Sequence, residues 1–522
     1  MFHAAILATL FLRILVALAP TTMDLTETPE LVTPLSSMHR VREGINLARS
    51  GMSPYVGDEC HQPPLTLAVL WFFFDEKGCA PQLNGWPLHL LFFLADLSVA
   101  IMLRSLVSRK LFHDNHQDFQ RSEPLPNVYY VPSFLRNKNN LSDLCATAYL
   151  LHPFALGSSA AWDTSSLVRV LTMASIYFAS HSATSLSSFF LACAGYVEIH
   201  PLLYVVATAA IEKKEREEMV QEKEKEKEKE KKKGKGKGKG KLKNKIVGKR
   251  RDDRVSYGVV LGHQCGWLIV WSVVLQVLSA FSLQRINETG RPSNINETTT
   301  TMHSTILSSR QGMLHTYRST YVWHLTANDN TPNVGIYWYF FSMLFVRFRS
   351  YFTFVFNVQL FVYVAPLVVR LRGRPYILLT ILISLVALLR PYPTLGDFSL
   401  PMVLMTMHPY VVARMRAKSV LLVALSIGVV LLPTFGYLWL YPGAACANHY
   451  YFSQATYTLS CLLLVSEFLG GALLRDRQVE KKEKDSMIEL TVGKKGGKEE
   501  EQQQVSETSM LTMEGKAAAA LE

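Results

Sequence analysis

The stretch Leu389–Val411, "LRPYPTLGDFSLPMVLMTMHPYV", lies between apolar runs, yet its centre holds Pro391, Pro393, Gly396 and a carboxylate, Asp397. Proline lacks a backbone donor and clashes with the preceding turn, so Pro391 and Pro393 close the helix that the run "ILLTILISLVALL" begins. Gly396 allows a tight turn, and Asp397 is placed to start the next helix as its N-cap. At membrane depth such irregular backbone is tolerated only against protein or beside a polar cavity. The break therefore reads as a site rather than as a loop, with helix N–H groups suited to phosphate.

Working outward, the chain has 522 residues, 49% of them hydrophobic, with a mean hydropathy of only +0.13. That average blends two populations. Runs such as "WPLHLLFFLADLSVAIML", "FTFVFNVQLFVYVAPLVV" and "SVLLVALSIGVVLLPTFGYLWL" approach the ~20 residues that cross a hydrocarbon core of about 30 Å. The remainder is polar and concentrated in two places. Residues 211–254 hold 20 Lys/Arg against 11 Asp/Glu, most of the formal net charge of +12, and the tail 475–522 holds 9 basic and 11 acidic residues. The Lys-Glu and Lys-Gly repeats bury too little apolar surface to offset their ordering entropy, so both segments read as disordered. Without interleaved aromatics the basic loop does not read as a nucleic-acid site; contact with anionic headgroups suits it better. The chain reads as an all-α polytopic membrane protein.

Lys/Arg placement sets the topology. "RSLVSRK" (104–110), the 211–254 loop, "RLRGR" (370–374) and "RMRAK" (414–418) are expected on the cytosolic face. Residues 20–81, 284–333, 391–397 and 441–450 then face the lumen. Sequons at Asn287 and Asn296 agree with that address, whereas Asn140-Leu141-Ser142 falls on the cytosolic side. Alternation gives about twelve crossings with both termini cytosolic. The run at 190–210 is expected to be hinged at Pro201, and "GIYWYFFSMLF" to lie at the interface. The first run could be a cleaved leader, but Arg13 inside it favours a retained helix, with Arg13 facing a bundle or a headgroup. The units are an N-terminal membrane half (1–210) with its lumenal loop, the Lys-rich loop (211–254), a C-terminal membrane half (255–474) and the tail (475–522).

Chemistry-bearing motifs are sparse. Seven cysteines form no CxxC and no His/Cys cluster at metal spacing, so no metal or other cofactor is expected. Cys145, Cys193, Cys265 and Cys461 read as packing residues, and a disulfide among Cys60, Cys79 and Cys446 stays open. Asp24, Glu27 and Glu30 are spaced by three without an Asp-x-Asp pair and read as a solvated acidic loop; Asp58-Glu59 beside His61 is the other acidic group there. Adjacent Cys60 and His61 are poorly arranged as nucleophile and base, whose side chains usually converge from separate elements. No nucleophile elbow and no phosphate-cradling Gly loop occurs.

Four stretches carry a resemblance: Thr33–Leu65, Leu325–Leu367, "YPTLGDFSL" (Tyr392–Leu400) and "YPGAACANHYYFSQATYTLSCLLLVSEF" (Tyr441–Phe468). In their order and residues they resemble the PIG-U family, the multi-pass subunit of the glycosylphosphatidylinositol (GPI) transamidase. The resemblance implies an endoplasmic-reticulum complex whose cysteine-protease-like subunit performs the chemistry. It also implies a GT-C-like bundle with broken helices and lumenal interfacial helices, serving to recognise and present the GPI lipid without catalysing. Where family members carry Gln then Asn after "VF", this chain has Asn357 and Gln359 in reverse order.

Candidate lipid-contact residues follow. Arg347 and Arg349 offer several donors to phosphate, with snorkelling to the headgroups as the alternative. Phe352 and its aromatic neighbours suit acyl chains or an ordinary aromatic belt. Asn357 and Gln359 are expected within hydrocarbon, where unpaired amides are costly, so they should pair in the bundle. Tyr392, Thr394 and Asp397 are placed for glycan or partner contact, with capping favoured for Asp397. Two other classes fit the same topology: a dolichol-phosphate-sugar glycosyltransferase using Asp24 or Asp58, and a transporter with broken helices.

Overall fold

The computed structural model describes residues 2–18, 25–57, 59–74, 85–111, 131–233, 256–289, 312–326 and 331–518, and helices carry the architecture. In chain order these are α1 (Phe2–Leu18), α2 (Met38–Arg49), α3 (Pro64–Trp71), α4 (Gly85–Leu106), α5 (Lys138–Leu150), α6 (Pro153–Ala160), α7 (Ser165–Ala179), α8 (Thr184–Val197) and α9 (Val205–Lys233). They continue with α10 (Tyr257–Thr289), α11 (Trp323–Thr326), α12 (Tyr337–Met343), α13 (Val346–Leu371), α14 (Pro375–Leu389), α15 (Ser399–Thr406), α16 (Pro409–Arg414), α17 (Lys418–Leu440) and α18 (Ala447–Ala518).

Among the described residues, five helical segments are long and apolar enough to cross a membrane: Trp86–Arg109, Tyr257–Ile286, Val346–Leu371, Lys418–Leu440 and Ala447–Lys481. Five shorter apolar helices, Phe2–Leu15, Ser165–Ala179, Thr184–Val197, Pro375–Leu389 and Leu395–Thr406, accompany them. At 1.5 Å per residue a helix of this shorter class reaches only about 20 Å, less than a hydrocarbon core. The count of about twelve crossings therefore does not follow from helix length. As expected, a 3-10 turn at His200–Tyr204 carries Pro201 between α8 and α9, and α12 has seven residues.

The core is organised around α14, whose fifteen residues are apolar nearly all round and of which only Leu385 is not buried. A helix with no polar face belongs inside a bundle, and α14 packs against α9, α13 and α18. A second cluster joins α2, α3, the start of α4 and the end of α10 through Met38, Val41, Leu67, Leu88, Phe92 and Leu283. Arg13 is buried, facing the bundle rather than a headgroup, and pairs with Asp96 of α4 while its guanidinium lies over Phe93 at 5.5 Å.

Three expectations can be set beside the described residues. Disorder was expected from 211, yet α9 runs to Lys233, because Glu212 and Glu215 are buried and held by Thr184, Arg216, Gln264 and Tyr376. Residues 234–255 lie outside the described residues. The tail was expected to be disordered from 475, yet α18 continues to Ala518; Asp476 pairs with Arg374 at 2.6 Å and Gln478 accepts from Arg414 Nε at 3.0 Å, and Lys- and Glu-rich sequence propagates helix readily. The open disulfide is absent among the described cysteines, since Cys60 and Cys446 are both free; Cys79 lies outside the described residues. Of the two sequons, Asn287 falls in the last turn of α10 and Asn296 lies outside the described residues.

Candidate functional site

The segment after α14 forms the centre of the site. Arg390 ends the helix in an extended conformation, and Thr394 opens a 3-10 turn, Leu395–Phe398, that leads into α15. The Thr394 backbone N–H donates to Asp397 Oδ2 at 2.6 Å, and its hydroxyl lies 3.0 Å from the same oxygen. The cap is thus Thr394, with Asp397 reaching back from the third position of the turn, a correction to Asp397 as the N-cap. Nor do the N–H groups of this turn face an open cavity. Gly396 is buried so closely that a β-carbon there would lie 2.6 Å from Ser158 and 3.0 Å from Arg169.

Around this turn the ends of four helices bring together charges that the sequence reading did not single out. Arg390 Nη1 donates to Glu198 Oε2 at 2.6 Å, and Nη2 pairs with Asp397. Asp163, between α6 and α7, accepts from Ser158 Oγ at 2.7 Å, from the Ser165 hydroxyl and backbone N–H, and from Thr394 Oγ1 at 3.5 Å. Arg169 completes the group without a carboxylate in direct contact: its Nη2 donates to Ser166 Oγ at 2.6 Å and to Ser158 Oγ at 3.0 Å. Ser158 therefore bridges a guanidinium and a carboxylate. Arg169, Glu198, Arg390 and Asp397 line a cavity of about 40 Å³ with Thr172 and Tyr204. A water needs about 10–15 Å³, so this space is large enough for a few waters. The signal was present in the sequence: ionisable residues inside or at the ends of apolar runs mark sites by default.

Of the first-loop acids, Glu30 departs from the solvated segment expected. Glu30 is buried, its carbonyl accepts from Leu395 N–H at 3.0 Å, and its carboxyl packs near Gly436 and Tyr450. Burial pushes that carboxyl above its ordinary value, against the lowering effect of its own backbone N–H. Asp24 and Asp58 lie outside the described residues.

The expected lipid-contact residues divide between two places. Along α13, Arg347 is exposed and Arg349 and Phe352 are half-buried, with Phe352 meeting Phe340 edge-on at 5.3 Å. Asn357 Nδ2 donates to the carbonyl of Leu325 in α11 at 2.8 Å, and Gln359 Nε2 donates to Tyr363 of its own helix at 3.1 Å. Tyr392, Thr394 and Asp397 are buried in the loop. Between the two places stands α11, whose Trp323 stacks on Tyr392 at 5.2 Å while His61 from the first loop stacks on Trp323 at 3.8 Å. His61 and Trp323 were not selected from sequence, because a stack formed by three distant segments leaves no local pattern.

A family model described as GPI transamidase subunit PIG-U matches residues 7–457. The chain belongs to the PIG-U family. Its relatives include the human GPI-anchor transamidase component PIGU, 24% identical over 455 residues that cover 87% of this chain and 89% of the relative. The GPI transamidase component GAB1 homolog of Schizosaccharomyces pombe is 23% identical over 448 residues, covering 86% and 87%. GPI transamidase component GAB1 of Saccharomyces cerevisiae is 21% identical over 452 residues, covering 87% and 89%. The family match includes the whole 390–398 loop, the charge cluster and all of α13, and stops within the first part of α18.

Proposed function

We propose that this chain is the multi-pass membrane subunit of a GPI transamidase in the endoplasmic reticulum, where it binds the GPI lipid and presents it to a cysteine-protease-like catalytic subunit. The observation that carries this reading is the family match over residues 7–457. In it the bundle is GT-C-like with about twelve crossings, some made by paired short helices, both termini are cytosolic, and the halves 1–210 and 255–474 meet at the charge cluster. Acyl chains lie along the aromatic face of α13, with Arg347 or Arg349 at the phosphate, and the glycan end approaches the His61–Trp323–Tyr392 stack. The chain's own side chains make and break no bond. The carboxylates of Asp163, Glu198 and Asp397 are engaged by hydroxyls or by Arg390, which disfavours the glycosyltransferase reading.

The test is purification of the tagged chain from cells in mild detergent, with mass spectrometry of bound proteins and lipids. Recovery with a cysteine-protease-like protein and GPI is the expected outcome; a solitary chain carrying a dolichol-linked sugar would replace this reading with the glycosyltransferase one.

A further inference from the structure

Three of the long membrane-crossing segments end at one face of the bundle, and their ends are basic. α13 closes with Arg370 and runs through Arg372 to Arg374, α17 opens after Arg414 and Arg416 with Lys418, and α18 carries Arg475 and Arg477 where its apolar segment gives way. Contacts to α18 place the end of α13 and Arg414 beside residues 476–478, and the Arg416 backbone beside Glu467, about two and a half turns earlier. Arg374 pairs with Asp476, Arg414 donates to Gln478, and the Arg416 backbone N–H donates to Glu467 at 2.9 Å. Asp476 and Gln478, two residues apart, point to opposite sides of a helix, so the two basic turns flank α18 and Arg477 stands between them.

Not all of these cations are used internally. Arg374 and Arg414 are engaged as described, whereas the side chains of Arg370, Arg372, Arg416 and Arg477 are exposed. Along α18 from 467 to 480 the acids are Glu467, which accepts from the Arg416 backbone, Asp476, paired with Arg374, and Glu480. These are four exposed guanidiniums on three elements, each within a few residues of the end of an apolar segment, where a headgroup layer would begin. Guanidinium forms paired hydrogen bonds with phosphate oxygens and keeps its charge at every relevant pH. Basic residues just beyond a membrane-crossing helix are drawn to anionic headgroups, and pockets between such helices select them.

We propose that this basic collar, formed by Arg370, Arg372, Arg416 and Arg477 around α18, binds the headgroups of anionic phospholipids in the leaflet that it faces. The site lies at the opposite end of α14 from the 390–398 loop and is independent of GPI recognition.

The test uses the full chain in vesicles of phosphatidylcholine with and without phosphatidylinositol, followed by mild extraction and mass spectrometry of retained lipid. The wild type is expected to retain phosphatidylinositol above its bulk share, less so as ionic strength rises. The quadruple variant R370Q/R372Q/R416Q/R477Q should lose about tenfold of that excess. A matching quadruple Arg→Lys variant, which keeps the charges, should retain most of it, and deletion of Gln221–Lys245 should change it little. Retention equal to wild type in the Gln variant, retention indifferent to salt, or loss on deleting 221–245 would each overturn the proposal. If the Gln variant fails to fold, the salt dependence and the deletion still decide.

Discussion

Asp397 has two tasks that substitutions separate. Its carboxylate completes the Thr394 cap and pairs with Arg390, which also holds Glu198. Asn can accept the cap hydrogen bonds but leaves Arg390 with one carboxylate, whereas Ala removes both roles. Breaking a buried pair leaves an uncompensated charge and costs about 3–5 kcal/mol. Asp397→Ala is therefore expected to lower thermal stability in detergent and GPI-anchoring activity strongly, with Asp397→Asn in between; equal behaviour of Asn and wild type would confine the residue to capping. Glu30 offers a pH test outside the membrane-spanning segments. Because its folded carboxyl titrates above the ordinary value, the group favours the fold most when protonated, and that contribution is lost as pH rises through the folded value. Thermal shifts from mildly acidic to neutral pH should show Glu30→Gln gaining on the wild type toward neutrality. A constant offset between the two proteins would show that the carboxyl does not titrate differently on folding.

Among the elements, the α17–α18 pair depends on one small residue. Gly428 sits where a β-carbon would lie 2.8 Å from the backbone nitrogen of Tyr457 and 3.1 Å from its Cα, so only glycine lets the two helices approach this closely. The obstacle is backbone rather than a movable side chain, so Gly428→Val must push the helices apart, at a cost of about 1–3 kcal/mol. A fall in the melting temperature of the purified chain checks this, and Gly262→Val on α10, with open space around it, is the control expected to behave like wild type. The same pair shows what was readable locally. The apolar runs gave both helices, but the polar sequence after 474 did not show α18 continuing, because Arg374 and Arg414, which engage it, come from far away in the chain.

For the whole molecule, deleting Gln221–Lys245 is expected to leave co-purification with transamidase subunits intact, since the part of α9 that packs lies before it; loss of assembly would give the segment a role beyond the bundle. The sequence by itself determined the helical membrane class, the breaks at Pro201 and after Leu389, and the family, because hydropathy, proline and ordered motifs are properties of the local chain. The pairing of Asn357 was also readable, since an amide among apolar residues must find a partner wherever it lies, whereas Arg13 could equally have faced a headgroup. Only the tertiary structure decided what those partners are. Asp163, Arg169, Glu198 and Arg390 meet because four helix ends converge, and Tyr392 gains its place from Trp323 and His61, residues far from it in sequence. Long-range pairing is invisible to periodicity and spacing, which report how each helix presents its faces and not which face meets which.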